Sequence, residues 1–347
     1  MQSAGAYRTI QDPQQLEELL SQPTEGVVES CRKLPGDVIL LGVGGKIGPS
    51  LAQMMRRASD LAGINRRIFG VSRFGSPRVQ AGLESSGIET IKCDLLDDEA
   101  VDKLPDVPNV IYLAGMKFGS TGQEAKSWAM NAHLPSIICR KYRRSKIVAF
   151  STGTVYGFVK MEEGGSKESD SPVPIGEYAM SCLGRERLFE YFSRVWKTPV
   201  VLIRLNYACD LRYGVLVDLA QRVFSGQPVD LTTGYFNTIW QGDANAMALQ
   251  CFAMATTPAS VINVTGPELL SVREVCETFS QLFEKNVTFC GAESPTALLS
   301  NPSRALRLFG SPLVEARCLI EWVADWVKRG GANFGKPTRF EARTGKY

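Results

Sequence analysis

Short apolar runs and stretches of helically spaced apolar residues alternate along most of the chain. Runs at 38–41, 67–73, 89–93, 109–113, 146–150 and 200–204 read as strands. After the first run Ile47, Leu51, Met54, Met55, Ala58 and Leu61 recur at helical spacing. Strands that alternate with helices in this way build a parallel, doubly wound α/β sheet of the Rossmann type. The regularity breaks near 207. Beyond it helices are expected at 215–226, 243–254, 271–284 and 315–329, with short strands near 229–231, 238–240 and 261–264. These read as a smaller C-terminal α/β unit that closes over the sheet. Ahead of the first strand, Asp12 and Pro13 mark a helix start followed by Leu16, Leu19 and Leu20. A second helix is expected from Thr24 to Lys33, ended by Pro35-Gly36. This N-terminal extension is expected to pack on the outside, and the glycine-rich tail to be loosely ordered or to lie across a neighbour.

The first strand runs into Gly42-Val43-Gly44-Gly45-Lys46-Ile47-Gly48. A strand that turns on glycines into a helix gathers bare backbone N–H groups and a helix N-terminus around one open spot, which suits a phosphate. The expected division is therefore an extension over 1–36, a dinucleotide-binding unit over 37–206, a mainly substrate-binding unit over 207–330 and a tail over 331–347. In such a fold an acidic residue about 20 positions past the glycines takes the adenosine ribose hydroxyls. No Asp or Glu stands between Asp60 and Glu84, and Ser72 and Arg73 end the second strand instead. A cation beside a hydroxyl matches a 2′-phosphate, so NADP is expected, with NAD as the alternative. Asp94, followed by Leu95, stands at the end of the third strand, either to accept from the adenine amino group or to cap the next helix.

Composition narrows the function little. The net charge of +3 is too small to argue for nucleic acid. Nine scattered cysteines without a Cys-x-x-Cys pair fit reduced thiols, and with a single histidine, His133, neither a metal site nor a Ser-His-Asp triad is expected. No apolar run reaches membrane-spanning length and no signal-peptide pattern opens the chain, so a cytoplasmic location with no membrane contact is expected.

Further motifs then fall in order. Leu113-Ala114-Gly115-Met116-Lys117 follows the fourth strand, Asn131 lies in the next helix, and Ser151-Thr152-Gly153-Thr154 opens from the fifth strand. Tyr178 begins a long helix, Arg204 to Asn206 ends the sixth strand, and Asn263-Val264-Thr265-Gly266 and Asn301-Pro302-Ser303-Arg304 lie beyond. With the glycine loop, these resemble the extended short-chain dehydrogenase/reductases, the NAD(P)-dependent epimerase/dehydratase family, over roughly residues 37–329.

The resemblance implies that Gly42, Gly44, Gly45, Lys46, Ile47, Gly48, Ser72, Arg73, Asp94, Leu95, Leu113, Ala114, Gly115, Lys117, Asn131 and Tyr178 hold the cofactor. It makes Thr152 and Tyr178 the catalytic hydroxyls. Met116, Thr152, Gly153, Thr154, Asn206, Arg212 and Trp240 are the candidates for substrate contact, although Trp240, with Phe236, also reads as core, and His133 reads as structural. A homodimer through the helices after the fourth and fifth strands is implied as well.

Two departures stand against the family pattern. Tyr-x-x-x-Lys is here Tyr178-Ala179-Met180-Ser181-Cys182. Ionising a tyrosine at neutral pH costs about 4 kcal/mol, and a cation about 4 Å away at an effective dielectric near 20 supplies roughly that much. A thiol cannot. Lys117 could stand in, Arg185 lies on the same helix face, or Tyr178 stays protonated and acts as an acid. In the second departure Phe236 falls where sugar-nucleotide enzymes carry an arginine for the diphosphate, aligned on Asp243. The expected function is hydride transfer on a small polyhydroxylated substrate such as a sugar or sugar acid, by an oxidoreductase or epimerase. The alternatives are a dinucleotide-binding sensor or scaffold without turnover, and an enzyme using non-redox acid–base chemistry at the same site.

Overall fold

The computed structural model describes residues 9–346 apart from Phe118 and Ser120. Seven strands form the main sheet: β1 (Val38–Leu41), β2 (Ile68–Ser72), β3 (Glu89–Lys92), β4 (Asn109–Tyr112), β5 (Lys146–Thr152), β6 (Val200–Leu205) and β7 (Ser260–Val264). They lie in the order β3-β2-β1-β4-β5-β6-β7, every neighbouring pair parallel. The order reverses between β1 and β4, so the carboxyl ends of these two strands flank a crevice. Every residue of β1 and β4 is buried, as strands covered on both faces require.

The helices α1 (Pro13–Leu20), α2 (Glu25–Lys33), α3 (Gly48–Leu61), α4 (Pro77–Ser85), α5 (Asp98–Asp102), α6 (Glu124–Trp128), α7 (Leu134–Lys141) and α8 (Gly176–Trp196) precede β6 or lead into it. Five follow: α9 (Val215–Phe224), α10 (Gln241–Gln250), α11 (Val272–Phe283), α12 (Ser303–Phe309) and α13 (Ala316–Lys328). Between α6 and α7 the chain makes one π-helical turn, Ala129–His133. His133, at its end, is exposed.

Three expectations are corrected. The N-terminal helices are not an outer layer. Asp12 caps α1 by accepting from the amides of Gln14 and Gln15, and Thr24 caps α2. Leu16 and Leu20 are then fully buried in the core of the smaller unit, beside Trp240 and Trp322, and Val27 and Cys31 are buried against α3. The buried Arg66 guanidinium donates to the carbonyls of Cys31 and Leu34, which fastens α2 to the sheet.

Residues 261–264 do not belong to the smaller unit. They lie in β7, paired with β6 from Ser260 opposite Val201 to Val264 opposite Leu205. The chain thus leaves the main sheet after β6, builds α9 and α10, and returns to complete it. The tail, finally, is packed against this chain itself: Phe340 is 5% exposed and Thr338 is 2% exposed.

Candidate active site

The glycine turn sits at the crevice between β1 and β4. Gly42 has φ +92°, and a Cβ on it would come within 2.7 Å of the Ala114 amide nitrogen. At Gly48 a Cβ would strike the Val43 carbonyl, so α3 can begin beside the turn only with glycine there. Gly45 differs. A Cβ on it would meet nothing nearer than the Gly42 carbonyl at 3.5 Å, so its bareness leaves open backbone on the outer side of the turn. Ile47, at the N-cap of α3, supplies no side-chain cap. Bare amides at a helix start and an unfilled cradle fit the diphosphate of a dinucleotide. Gly44 lies against Ser72, whose hydroxyl a Cβ would meet at 2.5 Å.

Arg73, just past β2, is 61% exposed in its side chain and 3.9 Å from the Asp94 carboxylate. Asp94 also accepts from the Leu96 amide. The cap of α5 that Asp94 was one candidate for belongs to Asp97, which accepts from the Ala100 amide. The side chain of Leu95 is buried in the core, so Leu95 presents only backbone to a ligand.

After β4 the chain is held by Asn131. Its side-chain oxygen accepts from the Met116 amide at 2.8 Å and its nitrogen donates to the Met116 carbonyl at 2.9 Å. Asn131 is fully buried in the π-helical turn and also donates to the Ser181 hydroxyl. Its oxygen takes a further bond, at 2.6 Å, from Arg185, which also donates to the Phe150 carbonyl. Arg185 lies so close to Gly115 that a Cβ there would clash with its guanidinium. Asn131 therefore acts as a clamp that sets the course of Leu113, Ala114, Gly115 and Met116 and delivers Lys117.

Lys117 reaches α8. Its ammonium lies 6.0 Å from the centre of the Tyr178 ring and donates to the Thr338 carbonyl at 3.4 Å. Burial pushes its pKa down to about 8. Tyr178 packs with Val155, Tyr156 and the fully buried Cys182. Burial raises the thiol's pKa, so Cys182 is neutral at physiological pH. Beside this group, Thr152 at the end of β5 accepts from the Thr154 amide, and the hydroxyls of Thr152 and Thr154 are 3.0 Å apart. Gly153 is wedged against Asn206 and Ser300. Lys46 crosses from the glycine turn to lie 2.9 Å from the centre of the Tyr213 ring. Its pKa is pushed down to about 6, first by burial and then by Lys117 and Lys336.

Three candidates for substrate contact are engaged elsewhere. Arg212 is bound to Asp210, with separations down to 2.5 Å, and to Glu17 on α1. Trp240 is 2% exposed and stacks edge-to-face on Trp322 at 5.5 Å. Asn206 donates to Asn237 and to the Leu298 carbonyl, tying the end of β6 to the smaller unit.

The sequence also concealed a buried network under the site. Arg204 pairs with Glu186 at 2.7 Å, their side chains 3% and 0% exposed. Ser151 donates to Glu186, and Arg204 donates to the Tyr156 hydroxyl, which donates to Asn263. The one signal was Arg204, an arginine inside the otherwise apolar run Val200–Leu205.

The parallel sheet, the glycine turn at its switch point and the helix carrying Tyr178 make up a Rossmann-like α/β fold. Residues 38–209 match the model of the NAD dependent epimerase/dehydratase family. Among solved structures the chain is similar to UDP-glucuronic acid 4-epimerase from Bacillus cereus in complex with NAD, with 19% identity, a TM-score of 0.71, and coverage of 84% of this chain and 96% of that one. It is also similar to dTDP-glucose 4,6-dehydratase from Bacillus anthracis in complex with NAD, with 15% identity, a TM-score of 0.69, and coverage of 85% and 97%. A third is UDP-glucose 4-epimerase from Thermotoga maritima with UDP-glucose, with 17% identity, a TM-score of 0.67, and coverage of 85% and 99%. No curated protein matches the chain. Among the described residues no helix is long and apolar enough to cross a membrane.

Proposed function

We propose that this chain is an NAD(P)-dependent oxidoreductase or epimerase acting on a small polyhydroxylated substrate, a sugar or sugar acid rather than a nucleotide sugar. The observation that carries the proposal is the position of Lys117. Its ammonium stands beside Tyr178, on the helix turn where Cys182 has removed the expected cation. The glycine turn and the start of α3 hold the cofactor's diphosphate, and the nicotinamide supplies hydride acceptance and return. Thr152 and Tyr178 hydrogen-bond the reacting oxygen, and the Tyr178 hydroxyl exchanges its proton. Lys117 lowers the cost of the tyrosinate by Coulomb attraction. Asn131 keeps Lys117 in place through the Met116 backbone.

NADP is proposed over NAD because Arg73 stands exposed at the end of β2 where a 2′-phosphate would arrive. The similar solved structures contain NAD, so this preference rests on Arg73 alone. The small substrate is proposed from Phe236, which is fully buried and has no charge to offer a diphosphate. A cytoplasmic homodimer completes the reading. It is supported by Met180, Tyr191 and Val195, which are 45%, 58% and 51% exposed along α8, with Trp128 on α6 nearby at 39%. An apolar stripe of this kind marks a subunit interface.

The test is titration of the purified protein with NADP, NADPH, NAD and NADH, followed by a panel of free sugars and sugar acids, with nicotinamide fluorescence as the readout. Reduction of cofactor by a free sugar or sugar acid, abolished in Tyr178→Phe, supports the reading. Cofactor binding unaltered by Tyr178→Phe with no turnover on any panel member would leave the scaffold alternative standing.

A further inference from the structure

The C-terminal tail runs from the smaller unit to the start of α8. It leaves α13 at Gly331, whose amide donates to the Trp326 carbonyl. The Phe334 amide donates to the Arg212 carbonyl in the smaller unit. The amide and hydroxyl of Thr338 both donate to the Asp218 carboxylate, at 2.7 and 2.6 Å, while its carbonyl receives Lys117. Phe340 is buried with its ring 6.0 Å from that of Phe236. Arg343 then donates to the Thr296 carbonyl and hydroxyl at 2.8 and 2.6 Å, and its guanidinium lies 3.9 Å from the centre of the Phe158 ring. The backbone of Gly345 ends against Ile175 and Gly176, so closely that a Cβ on Gly176 would lie 2.6 Å from the Gly345 carbonyl oxygen. Gly176 is two residues before Tyr178. The tail therefore bridges the smaller unit and the helix that carries the catalytic hydroxyl.

What it covers is the space beyond the ends of β5 and β6. One wall there is Thr154, Tyr156, Tyr207 and Leu298, and the other is Phe340 with Arg343. Between them remains a cavity of about 10 Å³. That is no more than the room one water molecule needs.

We propose that residues 336–345 are the specificity wall of the substrate site. They fill the space beyond the ends of β5 and β6 that the far end of a long ligand would need, down to a remaining cavity of about 10 Å³. The inference rests on the functional reading above and sharpens it: the chain excludes nucleotide-linked sugars with its own C-terminus, in addition to lacking a charge at Phe236. The anchors suit this role. Asp218 and Thr296 hold the segment from one side and Ile175–Gly176 from the other, so the wall is fixed in place and a ligand cannot push it aside without breaking several hydrogen bonds.

The test compares the full chain with one that ends at Gly335, using calorimetric titration with UDP-glucuronic acid as the long probe and free glucuronic acid as the short one. Cofactor binding is read separately by nicotinamide fluorescence. The shortened chain is expected to bind the long probe at least about tenfold more tightly than the full chain. Equal affinity in the two chains, or no binding of the long probe by either while cofactor still binds, overturns the wall. Loss of cofactor binding by both chains strikes the functional reading instead. Removing Phe340 exposes core, so Arg343→Ala in the full chain serves as a second variant. It should speed amide exchange over 340–345 and tighten binding of the long probe in the same direction. Faster exchange with unchanged affinity overturns the proposal.

Discussion

The Lys117 ammonium stands 6.0 Å from the centre of the Tyr178 ring, although the two residues come from different layers of the fold. Lys117 hangs from the loop after β4, and Tyr178 begins α8. The pairing brings a cation to the Tyr178 ring by a route other than the helix itself.

That arrangement has a pH signature. Burial lowers the Lys117 pKa to about 8, so the group is charged below that value and neutral above it. Turnover that depends on the ammonium is expected to fall as pH rises through about 8. Lys117→Met should lower kcat and remove this limb of the profile, while Tyr178→Phe should lower kcat by about 10²–10⁴ at every pH. A kcat–pH profile unchanged by Lys117→Met would show that Lys117 does not act on Tyr178.

Asn131 is expected to act at one remove. Asn131→Leu leaves the Met116 amide and carbonyl and one arm of Arg185 without their partner, at a cost of about 1–3 kcal/mol. The loop that carries Lys117 should loosen with it. Amide exchange at Met116 is expected to rise, and the pH limb near 8 to shift, with cofactor affinity much less affected. An altered melting temperature with an unmoved pH profile would make Asn131 a purely structural residue.

The Arg204–Glu186 pair supports the floor of the site. Removing one partner of a buried pair costs about 3–5 kcal/mol because the other charge is left uncompensated. Arg204→Met is expected to destabilise the chain by that amount in urea unfolding, since Glu186 is fully buried and Tyr156 loses its donor as well. A loss below about 1 kcal/mol, the range of exposed pairs, would mean that Glu186 is solvated.

Much of the main sheet was legible because several of its strands, β1 above all, are short apolar runs, and the glycine turn because Gly42 and Gly48 answer to local backbone geometry. The start of α1 was legible for the same reason, since Asp12 caps amides two and three residues away. What escaped depends on partners distant in the chain. Nothing near Arg212 announces Glu17, and nothing near Lys117 announces Thr338. The strand at 260–264 carries no mark that assigns it to β6 rather than to the smaller unit, because its pairing is fixed by where α10 returns the chain. The tail read as loose for want of apolar periodicity. A single Phe340 and a few hydrogen bonds to Asp218 and Thr296 suffice to pin it, and such anchors leave no repeating pattern. The family resemblance correctly placed the fold, but it could not say that Arg212 and Trp240 are occupied.

Asp243 offers a separate test, away from Thr152 and Tyr178. It lies at the start of α10, 6% exposed, and accepts from the Val314 amide at 3.1 Å. Burial raises its pKa from 3.8 to about 6. The folded chain therefore holds this proton more tightly than the unfolded chain between these two values. Stability must fall as pH rises through that window, because the unfolded state releases the proton first. The shift corresponds to at most about 3 kcal/mol. Asp243→Asn keeps a side-chain oxygen for the Val314 amide and has no charge to bury. The variant should match the parent near pH 4 and be the more stable of the two at pH 7. Urea unfolding of both chains across this range checks the point: curves that stay parallel from pH 4 to pH 7 would show that the Asp243 carboxylate is as well solvated in the folded chain as in the unfolded one.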